Sequence, residues 1–521
     1  MTYGLGCLRL AEEAALAEAV ARGVPWIDTA RVYPGSEELV ARHVPEGAAR
    51  VITKCGMQPG YRPDGRAGAI LADARASVAA LARPPDLLLL HAPDDAVDLA
   101  TSARALARAE REGLARAVGL SNVTRGQIER VAGIMDIAGI EVALGPYDDT
   151  AARGGVVAWC RDHGVPLFAY SVFGGPKGVA RLRRDGVVRL VAREHGTTPE
   201  AVMLAYVRGL APVIVPLVGA RTAAQVVVPR VELTAPDIAQ LDARFPGLAE
   251  ARQARRSPAE PRAEVVLLMG IPGAGKSRLA RAFVERGYLR LNRDELGGTL
   301  KTIARRLAEA LAGGATRVVL DNTYVSRATR NDVLRIAHAA GAAVRCSHAA
   351  TSLADAQVNL ALRMLERHGT LLGGADLRRK DDPGLFAPPV LHRMHRDLEP
   401  PGADEGFAAI ETVPFERVNV PGRAAHIVPV SRAPAERALR PDALLLVYGW
   451  GEPAPSLEGA HDIALCTHPP GPPQCWCRPP LPGLVLALAR RNGVDLRAST
   501  FVATTPAERA LGAMLGLECV P

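Results

Sequence analysis

Eight short apolar runs punctuate the first 248 residues, each separated from the next by a stretch of amphipathic character. The runs are "YGLG" (3–6), "VPWIDTA" (24–30), "RVITK" (50–54), "DLLLLHA" (86–92), "ARAVGLS" (115–121), "GIEVAL" (139–144), "PLFAYS" (166–171) and "VIVPLVG" (213–219). Their brevity predicts buried strands. Between them, "AEEAALAEAVARG" and "ARALARAEREG" space apolar residues at helical intervals and close on glycine. Eight such units in this length predict a (β/α)8 barrel spanning 1–248.

The pattern breaks over 249–264, "AEARQARRSPAEPRAE", which is charged and proline-bearing and reads as a linker. A second α/β block then runs over 265–420, opening on an apolar strand and a glycine loop. An arginine- and proline-containing joint is expected over 421–440, and a small third block over 441–521. No internal repeat stands out. The expected architecture is α/β multidomain: a TIM barrel, a second α/β domain with a glycine loop and a small third α/β block.

Composition changes this picture little. With 521 residues, two or three domains are expected, and 48% hydrophobic with 23% charged residues suits a globular protein. No apolar run reaches the roughly 20 residues of a membrane helix, so no membrane partner is expected. The opening residues lack a basic segment followed by an apolar stretch, and the eight cysteines form no disulfide-like framework. A reducing, cytoplasmic location is therefore expected. A net charge of +8 permits a nucleic-acid partner without demanding one. The oligomeric state stays open.

Chemistry in such a barrel gathers at the C-terminal ends of the strands. Those ends carry Asp28, Lys54 and His91, with Tyr33 in the loop after Asp28. A lysine cation beside a phenol is expected to lower the phenol's pKa, so that tyrosine serves as general acid towards a carbonyl. Asp28 would hold Lys54 and His91 would orient the carbonyl oxygen. "WIDTARVYPGSEELV", "ITK", "DLLLLHAPD", "VGLSN" and "AYS" resemble the aldo/keto reductases, in family order. The resemblance implies NADPH-dependent reduction of a small carbonyl compound with Tyr33 as acid. It also implies Ser121, Asn122 and Glu141 near the nicotinamide carboxamide, Tyr170 stacked on the ring, and Arg221 of "GARTAAQ" as partner of the 2′-phosphate.

"VVLLMGIPGAGKSRLA" is a strand, then a loop bearing Gly270, Gly273, Gly275, Lys276 and Ser277, then a helix: the P-loop pattern in its required context. Lys276 would reach the phosphates of ATP or another NTP, and Ser277 would bind Mg²⁺. Downstream, "NRD" follows a short strand, so Asp294 either deprotonates an incoming hydroxyl or caps a helix. "VVLDNT" ends a strand at Asp321, a usual place for a carboxylate near the metal. These segments resemble the polynucleotide 5′-kinases, with a likeness running on through "AAGAAVRCSHAATSLADAQVNLALRMLER". That likeness implies phosphoryl transfer to the 5′-OH of a nucleic-acid strand, with Asp294 as base, Arg363 supporting the leaving phosphates and Arg330 in the helix after "DNT". Sugars or nucleosides are the alternative acceptors, because "ELGGTLKT" after Asp294 supplies no early arginine for a neighbouring phosphate.

In "LCTHPPGPPQCWCRPPLPG" (465–483), Cys466, His468, Cys475 and Cys477 can close a tetrahedral Zn²⁺ site. The loop resembles the zinc loop of heptose bisphosphate phosphatases of the haloacid-dehalogenase class. That class needs two aspartates at the end of its first strand. Taking "ALLLVYGWG" (443–451) as that strand puts Val447 and Gly449 where the acids belong, with Thr504 replacing a later metal-binding aspartate. The expectation is a catalytically dead remnant in which zinc replaces a large core. Two further readings of the whole chain remain: carbonyl reduction coupled to small-molecule phosphorylation, and a barrel that only binds.

Overall fold

The computed structural model describes residues 3–10, 12–252, 256–374, 376–378, 384–450, 460–469 and 475–521. They divide into two compact units, one of residues 1–256 with 327–332, the other of 257–326 with 333–521.

In the first unit, eight parallel strands close a barrel: β1 (Gly4–Gly6), β2 (Trp26–Asp28), β3 (Arg50–Cys55), β4 (Leu87–Leu90), β5 (Val118–Ser121), β6 (Ile140–Ala143), β7 (Leu167–Tyr170) and β8 (Ile214–Gly219), with β8 pairing back onto β1. Seven lie within the predicted apolar runs, and β3 extends one residue past its run, to Cys55. Ile52, Leu87, Leu89, Phe168 and Leu217 form one buried cluster. They come from strands β3, β4, β7 and β8, the layered filling expected of such a barrel. The surrounding helices turn alanine- and leucine-rich faces inward. The helix Leu99–Arg111 buries Leu99, Ala103 and Leu106, and Asp98 caps it by accepting from the Ala100 amide. Gly119 lets β5 and β6 close up, because a Cβ there would stand 2.2 Å from the Gly139 carbonyl oxygen.

The second unit holds two parallel sheets. Its first comprises β9 (Ala263–Met269), β10 (Leu289–Leu291), β11 (Arg317–Asp321), β12 (Ala342–Ala350) and β13 (Ala409–Pro414), in the order β10-β11-β9-β12-β13. Leu268 pairs with Asp321, so the glycine loop after β9 and the acid ending β11 emerge at one carboxyl edge. Crevices at that edge are where open α/β sheets bind ligands.

A second sheet comprises β14 (His426–Pro429), β15 (Leu445–Trp450), β16 (Asp462–Cys466), β17 (Thr500–Val502) and β18 (Glu518–Val520), in the order β16-β15-β14-β17-β18. This corrects the sequence reading twice. Residues 421–440 are no plain joint: they carry the central strand β14 and the helix Ala433–Leu439. A four-residue strand ending in proline, flanked by arginines, lacks the length that marks an apolar run. The first strand of this sheet in chain order is therefore β14, and "ALLLVYGWG" is its neighbour. At the end of β14 stand Pro429, Val430 and Ser431, none of them an acid. Its sheet also packs an apolar core, in which Ile427, Leu446, Tyr448, Leu488 and Phe501 are buried together with Val358, Ala361 and Leu365 of the helix Leu353–His368.

Candidate functional sites

At the barrel mouth, Asp28 ends β2, Lys54 lies near the end of β3 and His91 follows β4. Tyr33 sits on a turn fastened from both sides. Its amide donates to the Ala30 carbonyl at 2.9 Å, and Arg31 Nη1 donates to Glu37 Oε2 at 2.7 Å. Glu37, itself buried, accepts at its other oxygen from Thr53 Oγ1 at 2.6 Å. The Lys54 ammonium donates to Asp28 Oδ1 and to the Thr29 carbonyl at 3.1 Å, and pairs with Glu141 Oε1 at 3.2 Å. Its Nζ lies 5.7 Å from the centre of the Tyr33 ring, and the Tyr33 and His91 rings meet edge-on at 6.0 Å. These four side chains converge on one point.

The same mouth gathers Ser121, Asn122, Glu141 and Tyr170. Tyr170 donates to Asn122 Oδ1 at 2.6 Å, while Asn122 Nδ2 donates to the His91 carbonyl at 2.9 Å and to Ser121 Oγ at 3.2 Å. Arg221, exposed after β8, stands apart from this chain, its amide held by Gln225 Oε1 at 2.9 Å. Tyr61, which the sequence reading missed, packs edge-on to His91 at 6.4 Å from a small hairpin after β3. Two-residue strands gave that hairpin no periodicity to find.

Burial governs the electrostatics. It pushes the Tyr33 phenol above its ordinary pKa, with Lys54 pulling the other way. The expected lowering does not occur, because burial of the phenol outweighs the pull of Lys54, whose charge Asp28 also opposes. Tyr33 thus keeps its proton, as a donor must. Burial, then Lys54, lowers His91 to about 4, leaving a neutral imidazole at pH 7. Glu141 is raised to about 8, first by burial and then by Asp28.

A stability consequence follows. An unfolded glutamate releases its proton near its ordinary pKa, whereas folded Glu141 holds it to about 8, so the native state loses stability as pH rises through that window. Glu141→Gln should therefore melt progressively higher than the parent between about pH 5 and 8, and level off above. Melting curves across that range check it; a gain that stays constant with pH would contradict the assignment.

In the second unit the helix Lys276–Val284 starts directly after the glycine loop. A Cβ at Gly273, whose φ is +80°, would lie 2.6 Å from the Ala356 carbonyl oxygen, so the loop packs tightly on its neighbour. Asn359 Nδ2 donates to the Gly273 carbonyl at 2.8 Å and Thr351 Oγ1 to the Ala274 carbonyl at 3.0 Å, which fixes the loop. An open cleft is lined by Gly273, Gly275, Lys276, Ser277, Asp294, Asp321 and Arg363, among others. Lys276 is brought down to about 8, mainly by burial, with Asp321 opposing. Arg363 reaches the cleft from the long helix Leu353–His368. Arg330 is fully buried and is not among the lining residues.

Two asparagines unnoticed in the sequence hold the acids. Asn292, not Asp294, caps the short helix Arg293–Leu296, accepting from the amides of Asp294 and Glu295. Its Nδ2 donates to the Asp321 carbonyl at 2.7 Å. Reciprocally, Asn322 Oδ1 accepts from the Arg293 amide at 2.9 Å and its Nδ2 donates to the Leu291 carbonyl at 3.3 Å. The ends of β10 and β11 are cross-latched. Asp294 is left partly exposed to the cleft, and Arg290 donates to one oxygen of Asp321 at 2.6 Å.

Cys466, His468, Cys475 and Cys477 bring four ligand atoms within 4.8 Å of one another. His468 Nδ1 lies 3.4 Å from both Cys466 and Cys477 sulfurs, and the Cys466 and Cys475 sulfurs are 3.8 Å apart. Zinc bond lengths imply tetrahedral edges of about 3.8 Å between sulfurs and about 3.5 Å from sulfur to nitrogen. The donor set fits that ion.

Known proteins resemble this chain in pieces. A family model described as "Aldo/keto reductase family" matches residues 11–243, and one described as "AAA domain" matches 265–371. Methylglyoxal reductase DkgB of Escherichia coli O157:H7 is 28% identical over 220 residues, which is 40% of this chain and 78% of that protein. An aldo-keto reductase of Mycobacterium sp. (strain MCS) is 33% identical over 218 residues, 39% of this chain and 71% of its own. The bifunctional polynucleotide phosphatase/kinase of Schizosaccharomyces pombe is 30% identical over 154 residues, 29% of this chain and 34% of that protein. No described helix is long and apolar enough to cross a membrane.

Proposed function

From the membership of this chain in the aldo/keto reductase family through its N-terminal barrel, we propose a bifunctional enzyme. The P-loop unit transfers the γ-phosphate of ATP to a hydroxyl acceptor, the 5′-OH of a polynucleotide, and the barrel reduces a small carbonyl compound. Convergence of Lys276, Asp294 and Arg363 on one cleft carries the kinase reading. The partial likeness to the S. pombe protein favours a polynucleotide acceptor.

In this mechanism Asp294 takes the proton of the acceptor hydroxyl as its oxygen bonds to the γ-phosphorus. Lys276, the loop amides and Arg363 receive the charge that grows on the departing ADP. Ser277 and Asp321 offer the hard oxygen donors that suit Mg²⁺. In the barrel NADPH would supply the hydride, held by Ser121, Asn122, Glu141 and Tyr170 on the nicotinamide side and by Arg221 at the 2′-phosphate. Tyr33 gives the carbonyl oxygen its proton, and neutral His91 directs that oxygen by hydrogen bonding. The cysteine and histidine cluster would hold Zn²⁺ in a domain of haloacid-dehalogenase ancestry that has no acid at the end of β14.

The test is a scan of acceptors with the purified protein, ATP and Mg²⁺. A 5′-OH oligonucleotide should gain phosphate while free nucleosides and sugars do not. Labelling of the small molecules alone would replace the polynucleotide reading by a metabolic kinase.

A further inference from the structure

Trp476 stands between two of the cluster's cysteines and contributes no ligand atom, yet among the described residues it is the largest fully buried side chain. Its indole N–H donates to the Phe386 carbonyl at 2.8 Å. Phe386, with Gly384 two residues before it, lines the P-loop cleft. Trp476 also shares one apolar cluster with Ile271 and Ala274 of the glycine loop and with Leu360 and Met364. The last two lie on the helix that presents Arg363.

The chain that follows this helix leans on the same loop. Gly373 pairs antiparallel with Cys475, and a Cβ at Gly373 would lie 2.3 Å from the His468 ring. From the other side, the Gly483 amide donates to the Trp476 carbonyl at 2.8 Å. Phe386 in the wall of the cleft is thus held by Trp476, which stands between the ligands Cys475 and Cys477. Cys475 and Cys477 flank Trp476 directly, so an ion ligated by both would fix the backbone on either side of the indole.

We propose that the metal held by Cys466, His468, Cys475 and Cys477 is thermodynamically coupled, through Trp476 and Phe386, to nucleotide binding in the P-loop cleft. This rests on the reading of that cleft as a nucleotide site. Zn²⁺ then orders a wall of the phosphate cleft, and nucleotide in the cleft secures Zn²⁺ in return, because a coupling between two sites is reciprocal.

The experiment uses the Zn²⁺-loaded full chain and needs no turnover. Zn²⁺ affinity is measured by competition with a chromophoric chelator, with and without saturating Mg·ADP, and ADP affinity by calorimetry. We expect ADP to tighten Zn²⁺ on the order of tenfold. Trp476→Phe should keep its Zn²⁺, bind ADP more weakly and lose the linkage. Zn²⁺ affinity that is the same with and without bound ADP overturns the coupling, as does failure of the cluster to retain Zn²⁺ at all. Failure of the loaded protein to bind ADP instead overturns the nucleotide reading of the cleft.

Discussion

Asp294→Ala should abolish phosphorylation while leaving ATP bound as before. The loss is on the order of 10² to 10⁴ in kcat, the range for removing a general base from its proton. Affinity should survive, because in the proposed mechanism the loop amides, Lys276 and Arg363 grip the nucleotide and Asp294 serves the acceptor. Nor should the fold suffer: Asp294 is partly exposed, and the helix it belongs to is capped by Asn292. Single-turnover transfer from labelled ATP, beside an ATP titration, separates the two effects. A variant that loses ATP binding in step with kcat would show that Asp294 builds the nucleotide site, and the base assignment would fail.

Tyr33→Phe should cost carbonyl reduction a similar factor, about 10² to 10⁴. The change deletes one oxygen and leaves a ring to pack against His91 and to face the Lys54 ammonium. NADPH binding should persist, readable by quenching of protein fluorescence. The raised pKa of Tyr33 adds a signature, since a phenol that keeps its proton through neutrality gives a rate nearly flat from pH 6 to 8. An undiminished rate in the phenylalanine variant would assign the proton to another donor.

What could be read beforehand followed the physics of each signal. The barrel was legible because each parallel strand is buried on both faces and so appears as an unbroken apolar run. The P-loop was legible because three glycines and a lysine at fixed spacing leave few other readings. Strand β14 was not, being four residues long with a proline at its end. Asn292 and Asn322 escaped notice because their work is done across strands, between residues about thirty apart in sequence, where no local pattern registers it. Trp476 was overshadowed by the cysteines on either side. Tyr33 was placed correctly at the mouth, but its pKa direction was not, since sequence showed the lysine and not the depth of burial.

The crossed asparagines carry one more implication. Asn292 accepts from the Asp294 amide and donates to the Asp321 carbonyl, so the backbones of the proposed base and the proposed metal carboxylate share one anchor. On the proposed reading, alignment between attacking oxygen and phosphorus would then be prepared during folding rather than on substrate arrival. Loosening either latch would blur both positions together.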